Sequence, residues 1–163
     1  MNAPNVEQFK QWAADNADLG HAVAMAQAFA QVQRERVDAY IKPIFEDFGF
    51  EYSQKTELRS GRTGRIPSPR DLYLCDDEAG LARFYECCDQ EHRKHGFNGP
   101  HGHCPALVAE NLLMEAERYL LEAGSKFFGV DFTMIFGEQR KQATDLLMGA
   151  TIKAWSERKR RAA

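Results

Sequence analysis

The sequence has no apolar run of about 18 residues, so it predicts no membrane-spanning helix. Near its start it also lacks the apolar segment that follows a basic cluster in a secretory signal peptide. Internal repeats and long low-complexity tracts are absent from it too. We therefore expect a cytoplasmic protein with no membrane association, whose cysteine thiols remain reduced.

The sequence also lacks a large excess of either sign of charge. The chain has 21 basic and 24 acidic side chains, which gives a net charge of -3 and excludes a general attraction to polyanions. A nucleic-acid role would need a local basic patch. With 163 residues, of which 44% are hydrophobic, the chain is long enough to bury a core without disulfide bonds. Its four cysteines then indicate core packing, metal ligation or reactivity.

The spacing of apolar residues predicts a mainly α fold, a bundle of about four or five helices in a single domain over residues 1–163. Asn5 is the predicted N-cap of the first helix. In the long second helix, Pro43 is predicted to kink or restart the backbone, and Gly49 to end it.

The segment between the second and third predicted helices is rich in glycine, proline and arginine. Alternating aromatic residues at its start and an apolar triplet near its end predict a short β-hairpin around residues 48–74. Near residues 59–70, four basic side chains form a candidate phosphate-binding or nucleic-acid-binding loop: Arg59, Arg62, Arg65 and Arg70. The chain also ends in a basic tail, which complements the dipole of the last helix.

Cysteine and histidine are concentrated in one short stretch. Three of the four cysteines and four of the five histidines lie between residues 87 and 104. Within the helix predicted to end at Gly96, Cys88 and His92 continue the apolar stripe that begins at Leu81, so both should face inward, one turn apart. The same periodicity extends to His95.

The stretch GFNGPHGHCP, residues 96–105, is predicted to turn sharply and return the next helix beside the previous one. That next helix should begin at Pro105 and end at Gly124. Two ligands from a helix and two from a following turn suit tetrahedral zinc, which favours thiolate and imidazole. The predicted metal ligands are drawn from five residues: Cys88, His92, His101, His103 and Cys104.

The favoured interpretation is a metal-binding protein with structural zinc that acts as a binding or accessory factor with a protein partner. One alternative is a metal-dependent hydrolase with three protein ligands, a bound water and Glu110 as the base. In a second, Cys104 is a nucleophile, activated at a helix N-terminus beside His103. The third is a nucleic-acid or phosphate-binding module that uses the arginine loop.

Overall fold

The computed structural model of the chain describes residues 3–50, 56–57, 63–64, 78–97 and 105–163. Within these ranges the backbone forms five α-helices, one 3-10 helix and one pair of two-residue strands. In chain order they are α1 (Val6–Asp15), α2 (Ala17–Asp47), β1 (Thr56–Glu57), β2 (Thr63–Gly64), α3 (Glu78–Lys94), α4 (Pro105–Phe128), the 3-10 helix (Phe132–Met134) and α5 (Gly137–Ala162). The predicted mainly α class is confirmed.

The two strands pair antiparallel, with Thr56 opposite Gly64 and Glu57 opposite Thr63. This pairing lies within the range predicted for a hairpin. The aromatic residues that motivated the prediction are placed differently, because Phe48 and Phe50 belong to the turn that ends α2. The four arginines of the predicted loop lie outside the described residues.

The N-terminus of α1 carries the cap that the sequence predicts. The side chain of Asn5 accepts from the backbone N–H of Gln8, and the Gln8 side chain accepts from the backbone N–H of Asn5, both at 2.9 Å. This reciprocal capping box satisfies backbone donors that the first helical turn leaves without intrahelical partners. Asn16 caps the C-terminus of α1, and its side-chain amide donates to the carbonyl of Trp12 at 2.8 Å.

Helix α2 runs through Pro43 without a break, so the predicted restart there is wrong, and the alternative of a kink stays a prediction. Proline removes one backbone donor, the one that would bond to the carbonyl of Ala39. Both residues lie on the exposed side of the helix, where water can hydrogen-bond to that carbonyl. The predicted stop at Gly49 is confirmed. Gly49 has φ 72°, and the N–H of Phe50 donates back to the carbonyl of Phe45 at 2.8 Å, as in a Schellman motif.

Residues 1–29 and 110–163 form one compact unit. Its core is made by the following residues: Trp12, Ala13, Val23, Leu120, Leu121 and Leu147.

Gly124 lies inside α4, four residues before its end, so the predicted stop there is wrong. A Cβ atom at Gly124 would lie 2.6 Å from a methyl carbon of Leu147. Close packing against Leu147 therefore explains why this position holds a glycine. Stops depend on backbone conformation, which a glycine alone does not determine.

Residues 30–109 form a second compact unit. Its core contains Val37, Ile41, Ile44, Phe45, Phe84, Cys88 and Ala106. The ring of Phe84 lies at the centre, edge-on to those of Phe45 at 5.0 Å and Phe50 at 4.9 Å. In neither unit is any described helix long and apolar enough to cross a membrane. The prediction of a single domain over residues 1–163 stays a prediction.

Candidate functional site

Helix α3 presents the predicted face to the core of its unit. Phe84 is 1% exposed and Cys88 6% exposed. One turn further along, His92 is 5% exposed, an unusual degree of burial for an imidazole. The sequence-based placement of Cys88 and His92 on one inward face is therefore confirmed. A buried thiol and a buried imidazole on the same face of a helix provide two of the ligand types that zinc prefers.

The backbone around His92 is held by the end of α3. Gly96 has φ 86°, and the N–H of Phe97 donates to the carbonyl of His92 at 2.9 Å. This is a second Schellman motif, and it confirms the predicted stop at Gly96. The rings of His92 and Phe97 also contact, with centroids 6.2 Å apart. The chain therefore leaves α3 in a defined direction immediately after the buried histidine.

The imidazole of His92 makes a hydrogen bond that the spacing of residues in the sequence does not predict. Its Nδ1 lies 2.7 Å from the hydroxyl oxygen of Tyr40 on α2. The two rings meet edge to face, at 85° with centroids 5.4 Å apart. Coordination of a metal through Nε2 is compatible with this hydrogen bond, whereas coordination through Nδ1 would break it. A tyrosine on the inward side of α2 was a usable signal, since a buried hydroxyl needs a partner.

His95 does not share the inward face, contrary to the sequence-based prediction. Its side chain is 41% exposed, and its ring stacks on that of Tyr40 at 4.1 Å and 8°. The backbone N–H of His95 still donates to the carbonyl of Glu91 at 3.2 Å, so the difference lies in the side chain, whose ring covers Tyr40 at the end of the helix and stays partly in solvent. Its backbone carbonyl accepts a hydrogen bond from the guanidinium of Arg36. His95 thus contributes to the packing of Tyr40.

The beginning of α4 lies beside the buried face of α3. Ala106 is 6% exposed and belongs to the same core cluster as Cys88. α4 starts at Pro105, as predicted, and Cys104 is the residue immediately before it in the sequence. The chain therefore returns, within nine residues of Phe97, to the cluster that contains Cys88. This is the return that the glycine-rich turn predicts.

The other candidate ligands lie in residues 98–104, which are outside the described residues. They are His101, His103 and Cys104. Among the residues that the structure describes, no group of three or more His, Cys, Asp or Glu side chains could hold a metal ion. The predicted ligand set, and the alternative role of Cys104 as a nucleophile, stay predictions.

The remaining candidates are placed on helices. Glu110, the predicted base, is half-buried on α4. Cys87 is half-buried and lines an open cleft together with Arg83 and Glu86. Its side chain therefore differs in direction from that of Cys88, which is buried.

Tyr85 packs against the same core cluster as Cys88. Burial, and secondarily the negative charge of a Cys88 thiolate, raises the pKa of Tyr85, so its phenol stays neutral.

Comparisons with known proteins assign this chain neither a family nor a function. No protein-family model matches the chain, and no significant match was found among the curated proteins or the solved structures. Evidence on function therefore comes from the chemistry and geometry of the residues around Cys88 and His92.

Proposed function

We propose that this chain binds one metal ion, with zinc the preferred metal, through Cys88, His92, Cys104 and either His101 or His103. The observation that carries the proposal is the position of Ala106 in the core cluster of Cys88. Because Cys104 precedes Ala106 by only two positions in the sequence, we expect a ligand just before α4 to lie near ligands contributed by α3.

The chemistry of the two described ligands supports a structural metal. Thiolate and imidazole are the preferred ligands of tetrahedral zinc. Both Cys88 and His92 are more than nine-tenths buried, and an ionised thiolate in such a place is costly unless a cation compensates it. Zinc supplies that cation and joins α3 to the start of α4. Two cysteines and two histidines complete a closed site without a coordination position for substrate, so we propose a binding or accessory protein.

Elemental analysis of protein purified without added metal tests the proposal. We expect about one zinc ion per chain, as in other closed four-ligand sites. Cys88→Ser and Cys104→Ser should each lose most of this zinc, because a hydroxyl is a poor substitute for a thiolate ligand. The matched control is Cys87→Ser, which changes the neighbouring half-buried thiol on the same helix. That control should retain its zinc.

Two results would contradict the proposal. The first is a wild-type protein that contains no zinc and takes up none when zinc is added. The second is a Cys88→Ser variant that keeps a full zinc ion. Zinc binding with a coordination position occupied by exchangeable water would instead favour the alternative of a metal-dependent hydrolase.

A further inference from the structure

We infer that Tyr40 is a positioning residue for the metal site: its hydroxyl holds Nδ1 of His92 and thereby makes Nε2 the metal-binding nitrogen. The inference rests on the proposed zinc site and goes beyond it, because it assigns a role to a residue outside the cysteine and histidine cluster. Tyr40 and His92 are 52 positions apart in the sequence, and the fold brings them to a 2.7 Å contact.

Tyr40 is itself held in place, which is required of a residue that orients another. One face of its ring stacks on His95 with centroids 4.1 Å apart and planes 8° from parallel. The Tyr40 side chain is also partly buried, and it packs against the core cluster that includes Cys88. The carbonyl of His95 is bonded by Arg36, one turn before Tyr40 on α2. These contacts fix the hydroxyl relative to α3 before any metal binds.

A hydroxyl suits this role because it can both donate and accept a hydrogen bond. A neutral imidazole carries one ring proton. When Nε2 binds a metal, that proton lies on Nδ1 and is donated to the Tyr40 oxygen. Without metal, the proton can lie on Nε2 while the Tyr40 hydroxyl donates to Nδ1. The same 2.7 Å contact therefore orients His92 in both states, and metal binding fixes the direction of the hydrogen bond.

The test is Tyr40→Phe, which keeps the aromatic ring and its stacking on His95 but removes the hydroxyl. Zinc affinity is measured by competition with a chelator of known affinity. We expect the affinity to fall about 10–100-fold, the usual effect of losing a hydrogen bond to a metal-binding histidine. The stoichiometry should remain one zinc per chain. Tyr119→Phe, which removes an exposed hydroxyl from α4, is the control and should bind zinc like the wild type.

A spectroscopic measurement separates positioning from mere structural support. Nitrogen-15 NMR of the histidine rings in the zinc-loaded wild type should place the His92 proton on Nδ1 and the metal on Nε2. The opposite assignment would overturn the inference even if Tyr40→Phe failed to fold. Unchanged zinc affinity of a folded Tyr40→Phe protein would overturn it while leaving the zinc site standing. A wild type without zinc binding would overturn both.

Discussion

The carboxyl group of Glu117 illustrates how the fold changes the chemistry of a single residue. Glu117 lies half-buried on α4. Burial raises its pKa; the charge of Arg140 opposes this change, and the charge of Asp145 adds to it. From the sequence, an edge position with the head group in water is the simpler prediction for this residue. In the fold the half-burial of Glu117 instead leaves its head group partly desolvated.

We predict that Glu117→Gln stabilises the protein at neutral pH. Because the pKa of Glu117 is raised in the folded state, ionisation is harder there than in the unfolded chain. The contribution of this group to stability is therefore greatest when it is protonated in acid. It falls as the pH rises from the ordinary range of glutamate through the raised pKa. Glutamine mimics the neutral form, so the gain at pH 7 should be less than about 0.5 kcal/mol, since the site is partly solvated.

Urea unfolding of the wild type and of Glu117→Gln at several pH values measures this effect. The difference in free energy of unfolding between the two proteins should be largest at neutral pH and should shrink in acid. A variant that is less stable than the wild type at pH 7 would show that the attraction of Arg140 outweighs desolvation.

At the scale of helices, small residues decide where elements approach each other. Gly20 on α2 faces Thr151 on α5, and a Cβ atom at Gly20 would overlap the hydroxyl and Cβ of that threonine. Thr151 is fully buried and its hydroxyl donates to the carbonyl of Leu147 at 2.7 Å, so it cannot move aside cheaply. A β-branched side chain also has few alternative rotamers in a helix.

We predict that Gly20→Ala destabilises the protein by about 1–3 kcal/mol, the usual cost of overpacking a core. The matched control is Gly149→Ala on α5, where an added Cβ meets nothing within 4 Å. Alanine favours helix over glycine, so the control should stabilise the protein by about 0.5–1 kcal/mol. Thermal unfolding of both variants measures the two effects. Equal stability of both variants would contradict the close approach at Gly20.

At the scale of the whole molecule, the proposed zinc should contribute to resistance against heat. A ligand present at about 100 times its dissociation constant stabilises the folded state by about 2.7 kcal/mol, and each kcal/mol shifts the Tm of a protein of this size by about 2–4 °C. We therefore predict that a strong chelator lowers the Tm of the wild type by roughly 5–10 °C. His92→Ala should show the lower Tm without chelator and little further change when chelator is added.

His21→Ala is the control for this experiment, because His21 lies outside the cysteine and histidine cluster. Its ring stacks on that of Trp155 at 3.9 Å, so the substitution should lower the Tm for a local reason. Its sensitivity to chelator should nevertheless equal that of the wild type. Equal sensitivity of His92→Ala and the wild type would show that His92 is not a ligand.

The sequence by itself determined the features that depend on nearby residues. The cap at Asn5, the stops at Gly49 and Gly96 and the start at Pro105 follow from local backbone chemistry. Helical periodicity also predicted that Cys88 and His92 face inward, because residues four apart share a face for as long as the helix continues.

Only the tertiary structure decided which distant groups meet. The hydrogen bond between Tyr40 and His92, the surroundings of Glu117 and the close packing at Gly20 and Gly124 each involve residues on different helices. Sequence spacing cannot encode such contacts, because they depend on how helices pack after they form. The failure at His95 has the same physical origin, because stacking against Tyr40 on another helix determines where its ring lies.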